Sequence, residues 1–479
     1  MPGVKITTST LSGPTNIVGA PTARAFIAGI TERGPVTPLT IHSIVDFNTY
    51  FGTLQSYSGA MYRAAQTFFA EGGAELTVCR AVGTTPTLAT LSLVDRTAVT
   101  PLATCRIDAA NAGAWGAGVT VQITAGGPAN TITFQAFYLG VRVSYVKDCA
   151  DTATLVTALA NDPYVRATDL VPVSVYPTRL PAVVGPSALV GGNDDRATVT
   201  AAKVGTALDG AGLTFGAGAV AAPGYNATVI GAILITHCTT HRRIAILAGD
   251  VGSLTSDLIT MAAALSANGQ FAGVFGPWLV VPEGSSTAQV SPEGYILGVR
   301  ARVMNQEGFW QVPAGGRAVA NYVQGTVSTF DSVAIDALAD GKVSGITNIG
   351  ADTELYGWRS LSTNSAQFTL LNSQDVLNTL TELVERTLQP YVFETIDATG
   401  QLIGRVQGAL TGVLQPITDA GGFVPQVDNQ GNVTNPAYRV TVSASTDGTS
   451  IIATVTVRLA GVAETITVSI VKAAFNATI

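Results

Sequence analysis

The sequence predicts a multidomain protein that combines α/β and β regions. Of its 479 residues, 47% are hydrophobic and only 12% are charged, which is enough apolar material for several cores. Two stretches alternate apolar strands with amphipathic helices, and between them lie short alternating strands separated by Gly, Pro, Asn and Asp. The first pattern favours layered α/β structure, and the second favours a β-sandwich or a small barrel.

These changes of pattern divide the chain into six predicted regions. Each boundary falls where the strand or helix spacing changes, or where Gly and Pro interrupt it. In chain order the regions are an N-terminal extended arm (1–22), an N-terminal α/β unit (23–88), a β-rich region (89–186), a central region of alternating strands and helices (187–354), a C-terminal α+β region (355–463) and a C-terminal strand arm (464–479).

In the arm, Val4 and Ile6 alternate with polar residues, as in an extended segment. The α/β unit is predicted from the strand AFIAGI and from a helix that begins near Ser58 and ends at Gly72 and Gly73. In the β-rich region, the runs VTVQIT, TITFQAFYL, VRVSYV and VPVSVYP alternate as strands do. Farther on, the buried runs RIAILA and FAGVFGPWLVV predict a largely parallel sheet.

Two apolar stripes predict helices in the C-terminal region. The first follows Asn372 and ends at Pro390, and the second runs through Leu402, Ile403, Val406, Leu410 and Val413. Alternating runs then predict strands, of which the last places Ile466, Val468 and Ile470 on one face. Terminal alternating strands of this kind can pair with the sheet of another subunit, or with a sheet of their own subunit.

Composition argues against several classes of function. The net charge is −7 and no basic run is present, so nucleic acid is not expected as a partner. The sequence shows neither the pattern of a signal peptide nor an apolar stretch long enough to insert into a membrane, so synthesis in the cytoplasm is expected. The four cysteines lack C-x-x-C spacing and are expected to be buried apolar residues.

Few residues offer catalytic or ligand chemistry. His237 and His241 lie four apart on a predicted helix and could share a metal or form a hydrogen-bonded pair; no third ligand is evident. The run from Gly216 to Ala221 has the G-x-G-x-x-A form of a dinucleotide loop, although Pro223 would interrupt the following helix. Asn193–Asp195 is better explained as a helix cap or an Asx turn before a helix over 196–207 than as a metal loop. No catalytic, cofactor or metal residue is therefore predicted.

Many short segments resemble the contractile tail sheath family of phages and related injection machines. Most occur in the family's order, and Tyr356–Leu361 (YGWRSL) is the strongest match. The others are Phe26–Gly29, Arg33–Pro35, Ile41–Ser43, Asp46–Phe47, Phe51–Gly52, Phe68–Phe69, Gly72–Gly73, Val78–Arg80, Asn111–Val119, Gly185–Asp195, Ala221–Tyr225, Gly276–Trp278, Ser291–Gly294, Gly308–Trp310, Ala314 and Val392–Glu394. Residues 120–181 and the last fifty residues carry little of the resemblance.

The resemblance implies a structural subunit, with no enzymatic activity and no cofactor. It implies a central domain similar in fold to subtilisin, a peripheral β-sandwich-like insertion, and rings of six subunits stacked helically around an inner tail tube. The terminal arms would complete sheets in neighbouring subunits, and contraction would drive the tube through the host envelope. Implied partners are copies of the chain, the tube protein, and the baseplate and tail terminator proteins, in a virion tail made in a bacterial host.

On the two C-terminal helices, Arg386 and Arg405 are candidates for contact with an acidic tube. Two other interpretations stay open at this point. One is a nucleotide-binding α/β enzyme that uses the Gly216 loop, and the other is a different tail or baseplate component.

Overall fold

The computed structural model describes residues 23–171, 176–350, 352–396 and 400–464. These residues form two compact units, which contain residues 23–378 and 379–464. The predicted arm residues Val4, Ile6, Ile466, Val468 and Ile470 lie outside the described residues. The same holds for most of the predicted strand VPVSVYP, since residues 172–175 are not described.

The described residues form the following strands and helices. The strands are β1 (Ala25–Gly29), β2 (Leu39–Ile41), β3 (Leu76–Arg80), β4 (Thr90–Val94), β5 (Ala103–Ala109), β6 (Val119–Ala125), β7 (Ile132–Tyr138), β8 (Val141–Cys149), β9 (Val165–Asp169), β10 (Val184–Ala188), β11 (Gly218–Ala221), β12 (Arg243–Ala248), β13 (Ala272–Gly276), β14 (Leu279–Glu283), β15 (Ser286–Val290), β16 (Gly325–Thr326), β17 (Val343–Ile349), β18 (Asp352–Tyr356), β19 (Gln426–Val427), β20 (Val433–Asn435), β21 (Tyr438–Ala444) and β22 (Ile451–Val457). The α-helices are α1 (Ile44–Phe51), α2 (Gly59–Ala70), α3 (Thr152–Ala158), α4 (Ala201–Asp209), α5 (Ala227–His241), α6 (Thr255–Ala264), α7 (Glu293–Glu307), α8 (Ser332–Asp340), α9 (Ser365–Phe368), α10 (Leu371–Leu388) and α11 (Gln401–Asp419).

An eight-stranded sheet organises the larger unit, in the order β18-β17-β13-β12-β11-β1-β3-β2. The six inner strands pair in parallel, and the edge strands β18 and β2 are antiparallel. Strands from the two predicted regions 23–88 and 187–354 therefore share one sheet, with Ala25 paired to Ala219. Every residue of β1 is buried, so this strand needs neighbours on both edges and helices on both faces.

Helices cover both faces of this sheet. On one face, α1, α2 and α7 contribute Phe47, Phe68 and Tyr295 to a continuous core. On the other face, α4, α5, α6 and α8 supply a second core that includes Leu208, Leu234, Leu258 and Leu338. The parallel sheet predicted from the buried runs is confirmed, and it extends beyond the region in which it was expected.

Buried ionic groups join the elements around the first core. The guanidinium of Arg300 on α7 donates two hydrogen bonds of 2.7 Å to the carboxylate of Asp375 on α10, and both side chains are almost fully buried. At the end of α2, the carboxylate of Glu71 accepts hydrogen bonds from the backbone N–H groups of Tyr322 at 2.8 Å and Val323 at 3.2 Å. Charges buried this way need such complete pairing, since an unpaired ion in a core is strongly destabilising.

The β-rich region contains two sheets, β10-β6-β7-β8 and β4-β5-β9. Side chains from both sheets, among them Ile107, Val121 and Phe134, form one core. The predicted strands VTVQIT, TITFQAFYL and VRVSYV correspond to β6, β7 and β8. Strand β9, with the sequence VRATD, was not among the predicted strands.

The helix expected over 196–207 begins later than predicted. Asp195 has a positive φ of 50°, and residues 196–198 form a turn of 3-10 helix. The N-cap of α4 is Thr200, whose side chain accepts a hydrogen bond from the N–H of Lys203. Asp195 instead accepts hydrogen bonds from the N–H groups of Thr84 and Thr85 at 2.9 and 3.0 Å, so it fixes a loop between chain segments.

All four cysteines are buried and unpaired, as predicted. Burial raises the pKa of the thiols of Cys79 and Cys105 to about 12. Across the described ranges, the helices are all too short or too polar to cross a lipid bilayer.

Candidate assembly surface

The smaller unit is built on the apolar stripe of α11. Leu402, Val406 and Leu410 recur every four residues on one side of this helix and are buried. They pack against one face of the β21–β22 hairpin, through Val440, Val442, Ile451, Ala453 and Val455. The stripe predicted from the sequence is confirmed, although Ile403 and Val413 at its border are only half-buried.

The register of the hairpin determines which backbone groups face outward. Strand β21 pairs with β22 from Tyr438↔Val457 to Ala444↔Ile451. The same register continues up to the turn, where the N–H of Ser445 donates to the carbonyl of Ser450 at 2.8 Å. In an antiparallel pair only alternate residues exchange these bonds, so Thr441 and Thr454 bond within the hairpin, whereas the backbone groups of Val440 and Ala453 point away from it.

Within the part of the chain that the structure describes, both outer edges of the hairpin are therefore open. Among the described residues β21 and β22 form a sheet of two strands only. The segment at Phe423 bridges to Leu459, which lies beyond the end of β22. Each strand leaves four residues with outward backbone groups: Tyr438, Val440, Val442 and Ala444 on β21, and Ile451, Ala453, Val455 and Val457 on β22.

The sequence of the hairpin offers little protection against strand addition. Proteins commonly blunt an open edge with Pro, Lys or a bulge, but YRVTVSA and IIATVTV contain neither Pro nor Lys, and their register is unbroken. The side chains that face α11 are only half-buried, whereas Thr441, Ser443, Thr454 and Thr456 are exposed. A two-stranded hairpin of this kind is marginally stable alone and gains from additional strands.

The two arginines predicted to face a tube already have carboxylate partners. Arg386 forms an ion pair with Glu382, one helical turn earlier. Arg405 donates to both carboxylate oxygens of Glu394, at 2.5 and 2.9 Å, and its guanidinium lies 5.3 Å from the ring centre of Tyr391. Both side chains are about half exposed, so these pairs are weak and can exchange partners.

The histidine pair belongs to a hydrogen-bonded network that sequence reasoning could not complete. His237 Nδ1 lies 2.7 Å from the carboxylate of Asp209, and its Nε2 lies 2.8 Å from Nη1 of Arg243. Because Arg243 can only donate, Nε2 is the acceptor and Nδ1–H donates to Asp209. Asp209 and the two histidines have the residue types of a metal site. Both nitrogens of His237 are nevertheless engaged, and one faces a cation, so the arrangement is a structural network.

The same arginine excludes the interpretation of the glycine-rich run as a phosphate loop. Its guanidinium donates to the carbonyls of Ala211 at 2.7 Å, Gly212 at 3.0 Å and Gly216 at 3.2 Å. Gly218 is the first residue of β11, a buried strand, whereas a dinucleotide loop connects a strand to a helix N-terminus. Helix α5 begins only at Ala227, so the G-x-G-x-x-A hypothesis was wrong.

We expect the His237 network to make stability fall in mild acid. Burial, the largest cause, lowers the pKa of His237 to about 4, below the ordinary value of 6.5. As the pH falls from 6.5 toward 4, the unfolded chain takes up a proton that the folded chain excludes. Unfolding is then favoured by roughly 2 to 3 kcal/mol relative to pH 7. Urea unfolding at pH 7 and pH 4.5 measures the loss.

His237→Gln should remove this part of the pH dependence, although it lowers stability at every pH. His42→Gln is the matched control, because His42 is on the surface and its Nδ1 lies 3.2 Å from the carbonyl of Ala74. An equal pH dependence in the wild type and in His237→Gln would contradict the assignment.

Comparison with solved structures identifies the fold. The chain aligns with a sheath tail protein from Desulfitobacterium hafniense at a TM-score of 0.61 and 13% identity, covering 96% of this chain and 100% of that one. A sheath tail protein from Listeria innocua aligns at a TM-score of 0.65 and 12% identity, with 92% of each chain covered. The sheath of an extracellular contractile injection system in the contracted state, PVC, aligns at 0.55 and 14%, with 98% of each chain covered. No protein-family model and no curated protein sequence matches the chain.

Proposed function

We propose that the chain is a structural subunit of a contractile tail sheath. The observation that carries this proposal is the fold: the chain has the mixed α/β, multi-sheet fold of contractile sheath proteins, over nearly its whole length and theirs. A shared local motif would leave large parts of one chain unmatched, whereas these alignments include both units. In this proposal, six copies form a ring, and rings stack around an inner tail tube.

The open edges of the β21–β22 hairpin would receive the terminal arms of neighbouring subunits. Each edge offers four residues whose backbone groups are directed away from the hairpin. Each arm alternates apolar and polar residues over a length that could form a strand. The apolar residues are Val4 and Ile6 in the N-terminal arm and Ile466, Val468 and Ile470 in the C-terminal arm. Strand addition is supported by the hairpin's lack of Pro and Lys, and would make a four-stranded sheet from different subunits.

A mesh held by backbone hydrogen bonds would let the larger units repack without losing their connections. The energy of contraction would come from the metastable extended assembly, because about 1 to 2 kcal/mol per subunit becomes large when many subunits switch together. The placement of Gly218 in a buried strand supports a mechanism without nucleotide.

The proposal also assigns positions in the sheath to individual regions and residues of the chain. The region 187–354 would correspond to a subtilisin-like domain, and the sandwich-like region 89–186 would decorate the outside of the sheath. Arg386 and Arg405 would approach the tube and exchange Glu382 and Glu394 for acidic tube residues. Baseplate and tail terminator proteins would contact the two ends of the polymer.

Electron microscopy of the purified full chain tests the proposal. Hollow helical cylinders, alone or around a supplied inner tube, are the expected result. Deleting residues 464–479 should abolish them. A helical reconstruction should place residues 89–186 at the outer radius and Arg386 and Arg405 at the inner one. A chain that stays monomeric at high concentration, even with a tube present, would refute the proposal.

A further inference from the structure

Two buried arginines and a buried tryptophan lie where three chain segments of the larger unit meet. The turn after β1 carries Arg33, β3 ends at Arg80, and the segment before β6 carries Trp115. Their exposed fractions are only 2%, 1% and 6%. All three segments belong to the sequence resemblance, yet nothing in the proposed assembly uses them. We call these three residues the arginine cluster.

Only some of the N–H donors in the arginine cluster form hydrogen bonds. Nη2 of Arg33 donates to the carbonyl of Asn48 and to the hydroxyl of Tyr164, each at 2.8 Å. Nη1 of Arg80 donates to the carbonyl of Gly34 at 2.8 Å. Five buried nitrogens have no hydrogen-bond partner in the described parts of the chain: Arg33 Nε and Nη1, Arg80 Nε and Nη2, and Trp115 Nε1. The side-chain oxygen of Asn48, whose carbonyl accepts from Arg33, is also unpaired, and one acceptor is too few for these donors.

Aromatic rings stabilise one of the two cations and not the other. The guanidinium carbon of Arg33 lies 3.9 Å from the ring centre of Tyr164, 5.2 Å from that of Tyr138 and 5.6 Å from that of Trp115. Among the described residues, no such ring contact is made by Arg80. Burial, the largest cause, lowers the pKa of Arg80 to about 10, whereas the charge of Asp194 acts in the opposite direction.

The neighbouring carboxylates are already engaged. Glu32 accepts hydrogen bonds from the N–H of Thr53 at 2.6 Å and from the hydroxyl of Tyr138 at 2.5 Å. Asp194 accepts from Nε of Arg196 at 3.1 Å. Within the described residues, neither Arg33 nor Arg80 forms an ion pair. Glu32 and Asp194 therefore lie near the two cations, but neither carboxylate pairs directly with Arg33 or Arg80 in the described parts of the chain.

Two of the unpaired donors lie on one side of Gly113. Nη2 of Arg80 and Nε1 of Trp115 are each 3.2 Å from the position that a Cβ on this glycine would occupy. Gly113 has a φ of +144°, so a side chain there would be strained as well as crowded. The missing side chain at Gly113 thus leaves space next to two N–H donors, both of which lack an acceptor among the described residues.

We propose that the arginine cluster binds one small monovalent anion, such as chloride. The N–H groups of Arg80 and Trp115 would hold it, and the charge of Arg33 would stabilise it. Water molecules would satisfy the donors but would leave the positive charge unbalanced, and a buried unpaired ion is strongly destabilising. The bound anion would join β1, β3 and the β-rich region. This inference does not depend on the sheath proposal.

Thermal unfolding of the full chain tests the anion site. Replacing gluconate by chloride at constant ionic strength should raise the Tm of the wild type in a saturable manner, because an anion that binds only the folded state stabilises it. Arg80→Met should lose this chloride-dependent shift. Trp115→Phe keeps the ring but removes one donor, and it should weaken the apparent chloride affinity on the order of tenfold. Arg63→Met, which removes the partner of Glu283 elsewhere, should keep the full shift.

Crystals grown in bromide provide an independent readout. An anomalous peak in contact with Arg80 Nη2 and Trp115 Nε1 is the expected result. Equal Tm values in chloride and gluconate for the wild type, or a cluster filled only by water in the bromide crystals, would overturn the proposal. If Arg80→Met fails to fold, Trp115→Phe and the bromide peak still decide the question.

Discussion

Replacing Ala453 by proline is expected to abolish assembly while leaving the monomer folded. The N–H of Ala453 points away from the β21–β22 hairpin, so proline removes a donor that the hairpin itself does not use. The ring also blocks the edge against an incoming strand. We expect no cylinders by electron microscopy and a more than tenfold rise in the protein concentration needed for assembly, measured by sedimentation.

Two further variants distinguish the loss of an outer edge from damage to the hairpin itself. Ala453→Ser keeps the backbone N–H and should assemble like the wild type. Thr454→Pro removes a bond within the hairpin and should lower the stability of the monomer, which Ala453→Pro should alter much less. Cylinders of Ala453→Pro at wild-type concentrations would show that β22 is not an assembly edge, even if the sheath proposal itself holds.

Removing the carboxylate of Asp375 is expected to be among the most destabilising single changes in the larger unit. Asp375→Ala would leave Arg300 buried with no opposite charge, since the two side chains are only 2% and 4% exposed. Loss of one partner of a buried pair costs about 3 to 5 kcal/mol, measured as the free energy of unfolding in urea. The double variant Arg300→Met, Asp375→Leu should recover most of this loss, because it removes both charges and retains apolar volume.

The partly exposed ion pair of Arg63 and Glu283 is the control for the buried pair. Its side chains are 28% and 37% exposed, so Glu283→Ala should cost less than about 1 kcal/mol. If Asp375→Ala were as mild as Glu283→Ala, the buried pair would contribute nothing to the fold.

Local patterns predicted only the elements with a strong apolar pattern. The stripe of α11 and the alternation of β6, β7 and β8 are properties of neighbouring residues, and their physical cause is burial of one face. The start of α4 was misplaced because Asp195 is a good capping residue by type, whereas its positive φ placed it in a loop.

Pairings between distant segments could not be predicted in this way. The alignment of β1 beside β11 joins Ala25 to Ala219, and nothing in either strand specifies the other. Asp209 completes the His237 network from another helix, and the unpaired donors of the arginine cluster come from three segments. The open hairpin edges were also missed, because they depend on which residues exchange bonds within the hairpin.

The burial of all four thiols would affect the lifetime of the sheath polymer that we propose. A polymer keeps many identical surfaces in contact for long periods, so one accessible thiolate per subunit would accumulate cross-links between copies once the surroundings become oxidising. Here the thiols of Cys79, Cys105, Cys149 and Cys238 are inaccessible, and burial raises the pKa of each. A change from reducing to oxidising conditions should therefore leave the covalent structure unchanged, and ageing should proceed by unfolding rather than by disulfide exchange.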